Sequence, residues 1–213
     1  MRSHYAIPIV TAAVLLASGC AQQRGGGVQP PTGDAQQAAT NALATLRKLV
    51  SEQNYKTLGF ASPGEVKTAA LAPPLTIYNI GLDRLKSYQA GQDVNALLAP
   101  SSEIIYPVTA DGQIRSSVTV VKKDNGFTTA SFGNAEIVKG LSRNRGANSP
   151  DAFAVRIPAF SMYFLGNRVA NRLMLTPVSE DSRLPFRMGV AVPAEDVLKA
   201  ILPLARDYNG LPM

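Results

Sequence analysis

The chain predicts an α+β fold. An antiparallel sheet of about five to seven strands, with one helix near each end of the chain, packs in two layers. Three observations carry that expectation. Apolar residues recur at helical spacing in 35–52 and again after Pro193. Between these segments, apolar runs alternate with a period of two. Asp111-Gly112 and Asp124-Asn125-Gly126 then punctuate the middle with the residues that tight hairpins need.

Each element follows from local pattern. Asp34-Ala35-Gln36-Gln37 fits an N-cap with Gln at N3. Ala39, Ala42, Leu43, Leu46, Leu49 and Val50 continue at helical spacing, which predicts a helix over 35–52. Ser62-Pro63-Gly64-Glu65 suits the start of a short helix running to about Ala70. Pro73-Pro74 breaks the chain, and 75–80 alternates like a strand. Helical turns are expected at 82–88 and 94–98. Ile104 to Val108, Ile114 to Val121 and Phe127 to Phe132 form a three-stranded meander. In its middle strand Ile114, Val118 and Val120 share one face with Ser116. Arg115, Ser117 and Thr119 share the other with Val121, so one face is core and the other partly wet. This helix-then-meander order is loosely similar to cystatin-like domains, an analogy of fold that says little about function.

Ala135 to Leu141 predicts a short helix, followed by a polar, basic loop over 142–150. Phe153, Val155 and Ile157 occupy odd positions, whereas Phe160, Met162 and Phe164 occupy even ones. That switch implies a bulge or a crossing at Pro158. Gly166-Asn167 begins a turn, Asn171 to Val178 returns as a strand, and Phe186 to Val192 reads as the last strand. Pro193 opens the final helix, with Glu195 and Asp196 placed well against its dipole. Val197, Leu198, Ile201 and Leu204 form its apolar stripe, and Pro203 is expected to distort it. There is no internal repeat.

Composition bounds the chemistry. The 213 residues are 46% hydrophobic and 17% charged, with a net charge of +6, one Cys, one His and no Trp. His4 and Cys20 both fall in the first twenty residues. There a basic start precedes an apolar run from Ala6 to Ala17, too short for the roughly 20 residues that span a bilayer. Small residues follow, in the order of a secretory signal. Leu16-Ala17-Ser18-Gly19-Cys20 resembles the lipobox of bacterial lipoproteins. That family prefers Leu three residues before the Cys; here Ala17 stands there and Leu16 lies one place earlier. The resemblance implies that Cys20 receives a diacylglycerol group and that the chain is cut just before it. It implies residence in the cell envelope. In a Gram-negative host, Ala21 in place of Asp implies the outer membrane, facing the periplasm.

The expected organisation is a signal peptide over 1–19, a lipidated Cys20 with a flexible tether over 20–34, and one α+β domain over 35–213. The processed chain then has no His, and its one thiol is the lipid site. That excludes His-based triads, Cys nucleophiles, Cys/His zinc sites and intrachain disulfides. No Ser is followed by Lys three places later, and there is no P-loop, G-x-G-x-x-G or EF-hand ladder. No cofactor or metal is implied.

Charge is uneven. Residues 34–112 hold six Lys/Arg against seven Asp/Glu, and residues 113–213 hold thirteen against eight. Arg143, Arg145, Arg156, Arg168, Arg172, Arg183 and Arg187 are the candidates for a surface that meets an anionic partner; the alternative is a scattered solvated surface. In an envelope the partners on offer are the lipid reached through Cys20, an envelope protein or an anionic glycan, and not nucleic acid. Glu180-Asp181 and Glu195-Asp196 are the acidic pairs, the first in a loop and the second at a helix start. Phe153, Phe160, Tyr163 and Phe164 read as core or as a groove lining. Three functions remain open. The first is a non-catalytic, membrane-anchored envelope lipoprotein that binds a partner or supports an assembly. The second is a carboxylate- or metal-dependent hydrolase of envelope glycans, which needs two acids about 5–10 Å apart in a cleft. The third is an inhibitor of an envelope enzyme, acting through the loop 142–150.

Overall fold

The computed structural model describes residues 33–145 and 151–210. It is an α+β fold. Four helices, α1 (Gly33–Leu49), α2 (Leu82–Lys86), α3 (Ala135–Arg145) and α4 (Ala194–Asp207), pack on one sheet. The strands are β1 (Ala70–Leu71), β2 (Leu75–Asn79), β3 (Ala99–Ala110), β4 (Gln113–Lys123), β5 (Gly126–Phe132), β6 (Phe153–Ile157), β7 (Met162–Val169), β8 (Arg172–Pro177) and β9 (Val192–Pro193). Short 3₁₀ helices occupy Pro63–Thr68, Val94–Leu97 and Pro158–Phe160. The sheet runs β5-β4-β3-β2-β6-β7-β8-β9, with β1 alongside β3. Strands β2 to β8 are the seven longer ones; β1 and β9 have two residues each and escape pattern reading. All pairs are antiparallel except β2 with β6, where Ile77 meets Ala154 and Tyr78 meets Val155.

Period-two alternation along β2 assigns the faces of the sheet. Leu75 and Ile77 point to one side, where Ile105, Ala154, Leu165, Val138 and Leu141 join them under α3. Thr76 and Tyr78 point to the other, which carries two cores side by side. Ala35, Ala39, Ala42, Leu43 and Leu46 of α1 pack on Tyr106, Val108, Val118 and Val120. Val197, Leu198 and Ile201 of α4, with Leu85 of α2, pack on Phe153, Val155, Ile157, Phe164 and Leu175. Three alanines at helical spacing let α1 lie close to its strands.

The expected meander is present, with Asp111 (φ 48°) and Gly112 (φ 75°) in the β3–β4 turn and Gly126 (φ 112°) opening β5. Its expected wet face is not. Ser117 and Thr119 are buried because α3 covers that side. A bulge also reorders β4. Val108 pairs with Ser116 and Thr109 with Ile114, which leaves Arg115 as the extra residue. The bulge flips parity, so Ile114 packs on the α3 side rather than with Val118 and Val120. Arg115 reaches Glu65 in the 3₁₀ helix under α1.

The parity switch at Pro158 has a simpler cause than a bulge. Residues 158–161 close a β6–β7 hairpin in which Ile157 opposes Met162 and Phe153 opposes Gly166. Odd positions thus face even ones, on one side of the sheet. The expected turn at Gly166-Asn167 lies instead at Ala170-Asn171, both at positive φ (49° and 65°). Gly166 is mid-strand, and a Cβ there would sit 2.6 Å from the Phe153 ring. The glycine serves ring packing, not chain reversal.

Other boundaries move as well. α1 begins at Gly33, so Asp34 lies in its first turn rather than at the cap, and it ends at Leu49. α3 continues through Arg145, so 142–145 are helical; 146–150 lie outside the described residues. α4 runs through Pro203 to Asp207. Phe186 to Val192 is not a strand. Segment 179–191 is a series of turns, with Leu184 N–H donating to Asp181 and Gly189 N–H to Pro177. Only Val192–Pro193 finds a partner strand, β8. Alternation in 186–192 is real in the sequence, but the segment turns away from β8 after one hydrogen bond, Gly189 N–H to the Pro177 carbonyl, and Met188 and Val190 remain exposed.

Candidate functional site

The seven arginines are spread over α3, β6, β7, β8 and the 179–191 segment. Arg156 and Arg168 lie on opposite faces of the sheet. Phe153 opposes Gly166, and Arg168 is two residues on, whereas Arg156 is three residues from Phe153. Most of the seven have internal partners. Arg145 donates to the carbonyls of Pro73 (2.8 Å) and Pro74 (3.1 Å). Arg156 donates to Asn79 Oδ1 (2.9 Å) and pairs with Glu103 (2.9 Å). Burial pulls its guanidinium down, but hydrogen bonds and charge from Tyr163 and Glu103 outweigh that and hold it above its ordinary value. Arg168 lies 5.1 Å over the Phe153 ring and donates to Asn95. Arg172 sits 3.5 Å from Glu195. Arg183 grips Asp181 with Nε (2.9 Å) and Nη2 (2.6 Å) and also donates to the Phe160 carbonyl (3.0 Å). Among the described residues only Arg143 and Arg187 of the seven show no side-chain partner, and both are exposed.

The acidic pairs resolve similarly. Glu180 is exposed, while the Arg183 hydrogen bonds hold the Asp181 carboxyl below its usual range. Glu195 and Asp196 sit in the first turn of α4, where negative charge is favoured. Phe153, Phe160 and Phe164 are core residues; Tyr163 is half-buried on the α3 side.

The described residues line at least three grooves. One of about 170 Å³ lies at the seam between the two cores, where Ser101 to Glu103 bow out of register with β2; Tyr78, Lys122 and Phe127 complete it. A second, of about 540 Å³, lies at the tip of the β6–β7 hairpin. Phe160, Ser161, Ser182, Arg183 and Tyr208 line it, and Ser161 holds a left-handed backbone (φ 54°). A third, of about 380 Å³, lies between the β3–β4 turn and α3, lined by Gln113, Ile114, Arg115, Lys139, Ser142 and Arg143. In none of these three do two carboxylates face each other. Glu103 is the one acid among their linings, and it pairs with Arg156.

The third groove was not visible as a site in the sequence. Lys139 and Arg143 are four residues apart, a spacing that puts both on one helix face, but the signal required α3 to extend past Leu141. Arg115 joins them only because of the β4 bulge. Cys20 lies outside the described residues. No protein-family model matches the chain, and neither does any curated protein or solved structure.

Proposed function

We propose that this protein is a lipid-anchored component of a bacterial cell envelope, a non-catalytic domain that binds a partner or supports an assembly. One observation carries the reading. The segment Leu16 to Cys20 ends a short apolar run with small residues and holds the only Cys of the chain. Cys20 would take the acyl chains, each buried CH₂ contributing about 0.8 kcal/mol, so that two or three chains hold far more firmly than one. Twelve residues separate Cys20 from the start of α1, among them Gly25-Gly26-Gly27 and Pro30-Pro31. Such a tether reaches roughly 20 Å as a coil, enough to lift the domain off the headgroups. In a host with two membranes, Ala21 after the Cys directs the reading to the outer membrane, on its periplasmic side.

Two of the described grooves offer groups suited to binding, since their linings carry cations, hydroxyls and an amide. The partner class that fits is an envelope protein or an anionic glycan. Among the described residues no helix is long and apolar enough to cross a membrane. The test is phase partition of the full chain expressed with its leader in a bacterial host. The wild type should enter the detergent phase, and Cys20→Ala should move to the aqueous phase. Unchanged partition of the variant would overturn the anchor.

A further inference from the structure

We propose that the groove between the β3–β4 turn and α3 binds a phosphate-type oxyanion, such as a phosphomonoester, through Arg115, Lys139 and Arg143. Its lining carries three cations, one amide and one hydroxyl, with no acid and no aromatic ring. The other two grooves differ. Glu103 stands in the seam groove, and the hairpin-tip groove has one cation in its lining, Arg183, against three here.

Of the three cations, Arg115 and Lys139 each hold one carboxylate and Arg143 holds none among the described residues. Arg143 is exposed and without a side-chain partner among the described residues. Lys139 has its stem mostly covered (side chain 32% exposed), and its one partner is Glu136 at 3.3 Å. That carboxylate is 89% exposed, so water and salt screen the pair. Arg115 gives its Nε–H to Glu65 at 2.6 Å, and a guanidinium has four further N–H donors. Lys139 and Arg143, one helical turn apart, repel each other. A dianion placed between them would relieve that repulsion, and phosphate oxygens suit both heads as acceptors.

The groove is an open, shallow indentation with a volume of about 380 Å³, and the vesicle arm of the test below separates a soluble phosphate from a membrane face. The exposed large apolar residues Leu49, Val169, Met188 and Val190 lie outside its lining, where Ile114 is the one apolar side chain. The phosphate can be free or carried on a sugar. The proposal is independent of Cys20 and holds for an unacylated chain.

The experiment is titration of the full-length protein in neutral detergent, at constant ionic strength set with chloride. The probes are inorganic phosphate, glucose 1-phosphate, phosphatidylglycerol vesicles and poly-glutamate. The wild type should bind a soluble phosphate. A Lys139→Gln/Arg143→Gln double variant should bind at least about tenfold more weakly, while Arg187→Gln, an exposed arginine outside the groove, should match the wild type. Arg143 is exposed and Lys139 half-buried at the groove edge of α3, and an unchanged circular dichroism spectrum would confirm the fold. Should the double variant misfold, Arg143→Gln alone serves, with the same direction expected. Tighter binding of glucose 1-phosphate than of inorganic phosphate supports a sugar-borne group; equal binding supports the bare anion. No response beyond chloride, equal binding by the double variant, or binding confined to the vesicles or to poly-glutamate would overturn the proposal.

Discussion

The two ends of the sheet solve burial differently. Under α4, the core around Phe153, Phe164, Leu175, Leu198 and Ile201 is made of apolar side chains on short strands. Under α1, strands of eleven and twelve residues meet an alanine-faced helix, and polar groups are buried among them. Glu65 is 7% exposed, accepts the Ala61 N–H at 2.6 Å and pairs with Arg115 at 2.6 Å. The Tyr106 hydroxyl and Ser116 Oγ are buried without hydrogen-bond partners. The difference teaches where each end is vulnerable. The α4 end fails by losing volume, and the α1 end by losing a partner for a buried charge. Binding potential follows the same division, since the bulge that sends Arg115 to Glu65 also brings it to the rim of the α3 groove.

That contrast can be broken most strongly at Phe164. Phe164→Ala removes a ring that is 1% exposed and should cost about 3–5 kcal/mol in urea unfolding. A cost near 1 kcal/mol would mean that the α4 core relaxes around the cavity. At the other end, Glu65→Ala leaves Arg115 half-buried without its carboxylate, with an expected loss of about 3 kcal/mol. The double change Glu65→Leu/Arg115→Leu should be less costly than the single one, because it removes the stranded charge. If the double variant is the worse of the two, the pair stabilises rather than merely compensates itself.

Tyr106→Phe tests the other polar feature of that end. Its hydroxyl has no partner in an apolar core, and burial pushes its pKa up. Removing it should raise stability by about 1 kcal/mol, read as a higher Tm. A loss would reveal an undetected partner. The smallest expected effect is at Asp181. The Arg183 hydrogen bonds hold this carboxyl below its ordinary value, so the folded protein keeps it ionised where the unfolded chain takes up a proton. Its contribution is present above about pH 4 and lost as pH falls through the folded value. Asp181→Asn should therefore cost about 1 kcal/mol at pH 7 and progressively less below pH 4. A pH-independent cost would point to packing instead.

Local pattern sufficed where a physical cause acted within a few residues. The meander was legible from Asp111-Gly112 and Gly126, because positive φ is a property of the turn itself. The helices α1 and α4 were legible because an apolar stripe at helical spacing needs only one surface to cover it. Local pattern misled where distant packing set the outcome. Gly166 looks like a turn residue until the Phe153 ring is placed against it. Phe186, Met188, Val190 and Val192 alternate like a strand, yet only Val192 pairs with β8 while the rest of the segment folds into turns. Ile114 shares parity with Val118 until the bulge at Arg115 breaks it.

The sites divide in the same way. A lipobox is a linear signal, so Cys20 can be singled out from neighbours in the chain alone. Charge composition identified a basic C-terminal half, but whether an arginine is spent depends on what the fold sets beside it. Pro73 lies far along the chain from Arg145, and Glu103 from Arg156. Only the packing of α3 against the β3–β4 turn brings Arg115 to Lys139 and Arg143, since that closeness depends on strand register and helix length rather than on spacing in the sequence.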